Sequence, residues 1–399
     1  MAKRRIRDNL IVILVLAVAI GLGIGLVVNE SIIGIIMTIK HVLGQFIFFC
    51  VPLIIIGFIT PSITGLKSNA SKMLGSALII AYLSSVGAAL FSTLAGYIII
   101  PGLNIATTLE ALKEIPELIF QLNIPPIMSV MSALVFAIVM GLTIIWTNSK
   151  TLETIFNEFN NVMLAVVNKM VIPVLPFFIA TTFAGLAYEG TITKQLPVFL
   201  SVILIVIIGQ FIWLAVLYAI AGFMSGENPK EVFKHYVPAY LTALGTMSSA
   251  ATLSVALDCA KKSSVLDDEV VDFAIPICST IHLCGSVLTE AFFVMVISQI
   301  LYGVLPTVTN MVIFVVLLGI FAVGAPGVPG GTVMASLGIV IGVLGFDASG
   351  VALLMSVFAL QDSFGTACNI VGDGAIALML TGIYKKNPEK IAKKKPVRA

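Results

Sequence analysis

Residues Val351–Gly382, VALLMSVFALQDSFGTACNIVGDGAIALMLTG, decide the fold class. The stretch is apolar and long enough to cross a bilayer, for which about 20 residues suffice. Its middle nevertheless carries Asp362, Thr366, Asn369 and Asp373, with Gly365, Gly372 and Gly374 between them. Steps of four, three and four place those polar residues on one face of a helix. A carboxylate at mid-bilayer is costly unless it meets a partner, a cavity or a proton. A single polar stripe on an apolar helix therefore reads as the lining of a site.

The whole chain fits that reading. Of its 399 residues 59% are hydrophobic and only 11% charged, and the mean hydropathy is +1.11. Soluble domains carry about 25% charged residues, so the expected class is an all-α integral membrane protein. Cys50, Cys259, Cys278, Cys284 and Cys368 lie in or beside apolar runs without paired spacing, which predicts buried free thiols. No HExxH, P-loop or GxSxG is present, so neither an enzyme nor an ATP-driven pump is indicated, and no cofactor is expected. An aspartic protease needs two carboxylates sharing a proton. Asp362 and Asp373 are instead separated by about 16 Å along one helix.

Charge sets the expected topology. Lys3, Arg4, Arg5 and Arg7 precede the first apolar run, and a basic tail from Lys385 to Arg398 closes the chain, so both termini are expected in the cytoplasm of the cell-membrane protein. Further crossings fall within residues 36–64, 76–100, 127–146, 159–186 and 198–224. Then the pattern changes. Residues 236–262 form two arms too short to cross, meeting at Gly245–Thr252, and basic residues flank both ends. The next span, 271–304, is interrupted around Cys278–Ser286. Two more short arms meet at Gly324–Gly331, before the final span. The total is eight crossings plus two re-entrant hairpins. The second half reads as hairpin, broken span, hairpin, broken span, an inverted repeat of the kind secondary transporters use to bind substrate near the midplane.

Ser248-Ser-Ala-Ala-Thr-Leu253, the tip Gly327-Val-Pro-Gly-Gly331, and the run from Asp362 through Asn369 to Gly372-Asp373 resemble the dicarboxylate/amino acid:cation symporter family. The resemblance covers the chain in segment order and is most specific from Gly245 onward. It implies a homotrimer in the bilayer with scaffold spans in residues 1–72 and 102–190. The transport domain would comprise 73–101, 191–228 and the core 229–384, moving as an elevator, with 385–399 a cytoplasmic tail. It also implies roles. Asp362 would hold the substrate ammonium and Asn369 its carboxylate, with Thr366, Ser286, Ser248 and Ser249 nearby and the tip Val328, Gly330 and Gly331 adding contacts. Asp373 and Asn369, with the backbone near Cys278, Thr280 and Gly324, would hold the coupling cation.

The departures are as informative. Members for acidic substrates carry an arginine where this chain has Gly365, and some carry one at the position of Met247. No Lys or Arg lies between Ile275 and Ile383. A neutral amino acid is therefore expected, with an acidic amino acid or dicarboxylate as the alternative. The family pattern Asn-Met-Asp-Gly-Thr stands here as His282-Leu283-Cys284-Gly285-Ser286, which removes two oxygen donors for sodium. Glu290 falls where proton-coupled members carry a glutamate. Glu290 and His282 are thus the candidates for a proton carrier, so the coupling ion is expected to be Na+, H+ or both.

Blander readings stand beside these. Asn369 can serve as a helix staple, Ser248 and Ser249 as caps, and His282 as a donor to a buried acceptor. Gly23 and Gly25 read as packing residues, and His41, His235, Trp146 and Trp213 as interface residues near span ends.

Overall fold

The structure, a computed structural model, describes residues 10–68, 72–103, 115–325, 327 and 329–385. Apart from Lys385, the basic residues that set the expected topology at either end lie outside these residues, as does Val328 at the second hairpin tip. Within them the fold is helical. In order come α1 (Leu10–Val27), α2 (Glu30–Ser68), α3 (Lys72–Ile99), α4 (Val130–Thr147), α5 (Lys150–Val166), α6 (Ile172–Glu189) and α7 (Thr191–Ser225). They are followed by α8 (Lys230–Phe233), α9 (Val237–Thr246), α10 (Ser249–Lys261), α11 (Asp268–Ile281), α12 (Cys284–Tyr302), α13 (Val308–Gly324), α14 (Gly331–Gly342) and α15 (Ala348–Lys385). Six stretches among the described residues are long and apolar enough to cross a membrane, and α1, α4, α13 and α14 contribute shorter apolar segments.

Local sequence explains the boundaries. Ser129 caps α4 by accepting from Ser132 N, and Asn148 ends it in the left-handed region at φ 56°. Asp267 caps α11, its Oδ1 accepting from Glu269 N at 2.9 Å and Val270 N at 3.3 Å. The span expected within 159–186 is longer. A π turn at Val167–Val171 joins α5 to α6 just before Pro173 and Pro176, and together they run from Lys150 to Glu189. Prolines remove backbone donors, so a bend there, rather than a break, is the physical outcome.

Two groups of helices pack together. In one, α1 lies on α6, and α2 on α4, α5 and α6; in the other, α3 and α7 pack with α11, α12, α13 and α15, and α9 and α10 join α11 and α15. The α1–α6 contact uses small residues four apart on both helices, Gly21 and Gly25 against Ala180 and Ala184. A side chain at Gly21 would collide with the Ala180 carbonyl, whereas Gly23 has nothing within 4 Å. Gly21→Leu is expected to cost about 1–3 kcal/mol by overpacking. Gly23→Leu should leave the melting temperature unchanged in the same thermal unfolding measurement.

The central elements are the interrupted span and the final helix. The apolar windows of α11–α12 and α15 are 89% buried, against 33% for α5–α6 and α7. The interruption is narrower than the sequence indicates. Only His282 and Leu283 lie between α11 and α12. The final span is not broken at all, since α15 runs unbroken from Ala348 to Lys385. Its glycines let neighbours approach. A Cβ on Gly372 would stand 2.7 Å from His282 Cε1, and one on Gly374 2.7 Å from Tyr236 Cζ and Tyr218 Oη. Trp213, expected at a span end, instead sits within α7 against Gly87 with its Nε1 buried. All five cysteines are buried and free.

Candidate functional site

Both hairpins form. In the first, α9 ends at Met247, a non-glycine residue in the left-handed region at φ 52°, and Ser248 starts α10 by accepting from Ala251 N at 3.3 Å. In the second, Gly330 at φ 72° starts α14, a conformation that favours glycine. The two tips meet, as Ser248 Oγ donates to Gly327 O at 2.7 Å.

Beneath the tips lies the polar face of α15. Gly330 N donates to Asp362 Oδ2 at 2.7 Å, so the α14 N-terminus is aimed at a buried carboxylate. Two turns on, Asn369 bonds the start of α12. Its Oδ1 accepts from Gly285 N at 2.7 Å and Ser286 N at 3.2 Å, and its Nδ2 donates to Ser286 Oγ at 3.0 Å. Met247, Ser249, Leu283, Ser286, Gly327, Thr332, Asp362, Thr366 and Asn369 surround one small cavity of about 10 Å³. That is about the room one water needs, so the tips must part before a larger molecule enters.

Gly365 lies beside the cavity, one residue before Thr366. A Cβ there would lie 3.2 Å from Ser286 Oγ and 3.3 Å from Ser286 Cα, so α15 meets the start of α12 closely at this point. None of the residues lining the cavity is basic.

A second polar layer lies three turns further along α15. His282, fully buried at the helix break, places Nδ1 2.9 Å from Asp373 Oδ1 and Nε2 2.9 Å from Ser84 Oγ on α3. With the carboxylate ionised, Nδ1–H donates to it and the hydroxyl meets Nε2. The order hydroxyl, imidazole, carboxylate matches that of a hydrolase triad, but here it is sealed in the protein interior. A third buried acid, Glu290, sits one turn past Ser286. Its Oε1 contacts Ser336 Oγ on α14, and its Oε2 has no partner among the described residues.

The structure therefore brings together Asp362, Thr366, Asn369, Gly365, Ser286, Ser249, Ser248, Gly330 and Gly331, and separately joins Asp373 to His282. Cys278 lies buried near the end of α11, Thr280 two residues on, and Gly324 at the end of α13. Thr280 is exposed and its hydroxyl returns to Ile277 O at 2.7 Å. Among the described residues no group of three or more His, Cys, Asp or Glu side chains is placed to hold a metal ion. Sequence reasoning missed Gln210, whose Nε2 donates to Thr289 Oγ1 at 2.9 Å from within apolar α7. An amide midway along so apolar a helix was the available signal.

Paired short helices and an interrupted span, converging on a buried polar layer among apolar spans, define a multi-pass helical membrane protein. The chain belongs to the sodium:dicarboxylate symporter family, whose model matches residues 10–383. It is 30% identical over 224 residues to human excitatory amino acid transporter 2, covering 54% of this chain and 38% of that protein. It is 28% identical over 268 residues to bovine excitatory amino acid transporter 3, covering 66% of this chain and 49% of that protein. The chain thus matches less than half the length of these relatives. The family and its relatives are transporters, not enzymes, and sodium is their coupling ion rather than a resident cofactor.

Proposed function

We propose that the chain is a secondary symporter importing a neutral amino acid together with a cation, by an elevator movement. Asp362 takes the ammonium in place of its bond to Gly330 N, and Asn369 with the hairpin tips takes the carboxylate. Glu290 is the proton carrier of this reading. The observation that carries the substrate class is Gly365. It leaves the amino-acid backbone grip intact and supplies no cation for a second carboxylate, and no basic residue lines the cavity.

In this reading the α1, α2, α4, α5 and α6 group is the scaffold and trimerises, while the group built on α3, α7 and α9–α15 slides against it. Eight helices cross the bilayer, the two hairpins re-enter it, and both termini face the cytoplasm. The packing of α1 on α6 and of α2 on α4–α6, and of α12 on α3 and α15, supports that division, with α14 lying against α2 and α4 where the two groups meet.

Competition against labelled substrate in proteoliposomes tests the substrate class. Alanine, serine and threonine are expected to compete, while aspartate and succinate are not. Dominance by aspartate or succinate would favour the second reading, an acidic-substrate symporter, which the names of the relatives support.

A further inference from the structure

The deeper layer has the wrong donors for a hard alkali cation and is already occupied by a side chain. Asp373 is fully buried, and its one partner among the described residues is the His282 imidazole, which accounts for Oδ1. The ring cannot simply swing aside. Its Nε2 is held by Ser84 Oγ at 2.9 Å, its Cε1 rests against the Gly372 backbone, where no Cβ would fit, and its own backbone N–H donates to Cys278 O at 2.9 Å. Three spans, α3, the α11–α12 break and α15, are thus joined through one ring. The next residue facing Gly372 is Cys284, whose Sγ would lie 3.1 Å from a Cβ there, so the opposite wall offers sulfur instead of oxygen. Sodium selects oxygen ligands, and neither imidazole nor thiol replaces them well.

We infer that His282 is the ion-specificity residue of this transporter: its ring fills the coordination position on Asp373 that a sodium ion would need, so this carboxylate works without sodium. The inference rests on the reading of the chain as a cation-coupled symporter and narrows where its sodium, if used, binds. With the Asp373 carboxylate ionised, Nδ1–H points at Oδ1 and stands in for the cation whether the ring is neutral or charged. Any sodium coupling then belongs to backbone carbonyls elsewhere. Asp373 instead ties α15 to the α11–α12 break, whose His282 in turn bonds Ser84 on α3.

The test compares the purified full chain with Asp373→Asn and with the double variant His282→Asn/Cys284→Asp, which returns oxygen donors to this layer. Each is titrated with sodium chloride against choline chloride at constant ionic strength, following melting temperature and binding of the best-competing amino acid. Wild type and Asp373→Asn are expected to share the same sodium response, and the double variant to gain a saturable one, raising substrate affinity roughly tenfold or more. A sodium response in wild type that disappears in Asp373→Asn would overturn the inference. So would a folded, substrate-binding double variant that gains no sodium response. If the double variant does not fold, the comparison of wild type with Asp373→Asn decides alone. If no amino acid binds under any condition, the symporter reading fails, while the melting comparison still reports whether sodium reaches Asp373.

Discussion

Asp362→Asn is expected to abolish binding of every α-amino acid while leaving the fold intact. The side chain is buried, and in the closed cavity its Oδ2 accepts from Gly330 N at 2.7 Å. An asparagine oxygen can accept the same hydrogen bond, so the second hairpin keeps its contact and the melting temperature should barely move. What disappears is the negative charge that meets the substrate ammonium. A buried ammonium left without its counter-charge costs about 3–5 kcal/mol, or two to three powers of ten in affinity and more. Calorimetric titration of wild type and variant with the best-competing amino acid measures the loss directly. Full-strength binding to the variant would mean that the ammonium is held elsewhere, and the assignment of α15 as the substrate helix would fall. A loss of thermal stability in step with the loss of binding would instead make Asp362 chiefly the anchor of the hairpin tip.

That helix also shows what a sequence discloses and what it withholds. The shared face of Asp362, Thr366 and Asn369 follows from spacing alone, and the structure places all three around one cavity. The paired short helices were legible too, because arms of 10 to 17 residues are shorter than an ordinary span and glycine or a cap must turn them. The continuity of α15 was not. Gly365, Gly372 and Gly374 look like helix breakers in a string of letters. In three dimensions they serve approach, since a Cβ added to Gly285 would stand 2.5 Å from Gly365 O. Whether a glycine breaks a helix or admits a neighbour depends on elements far away in the chain. The same limit hid the role of Ser84, which meets His282 across 198 residues, and the bond from Ser336 to Glu290 across 46. His282 was visible as a departure from a family pattern, yet its seat against Asp373 required the fold.

Glu290→Gln is expected to remove the pH response of transport and spare substrate exchange. Glu290 lies four residues after Ser286, hence one turn from the group that holds Asn369, and it is fully buried. An ionised carboxylate there, with Oε2 unpartnered, would carry a heavy desolvation cost. Hydrogen-bond accounting points the same way. Ser336 Oγ contacts Glu290 Oε1 and lies 3.0 Å from Val333 O, but a hydroxyl has one hydrogen to give. Both contacts become hydrogen bonds together only when the carboxyl carries a proton and donates to Ser336. Protonation therefore completes a chain from α12 through Ser336 to the second arm of the second hairpin, and release of the proton leaves that chain one hydrogen short. Glutamine mimics the protonated form permanently, because its amide can donate to Ser336. Wild-type uptake should accordingly rise when the outside is made more acidic than the inside. The variant should show a flat profile and net uptake lower by an order of magnitude or more, with exchange of labelled for unlabelled substrate preserved. Proteoliposomes loaded with substrate and assayed under imposed pH gradients separate the two activities. A variant that keeps the wild-type pH response would show that the proton travels elsewhere, and Glu290 would then be only a structural partner of Ser336.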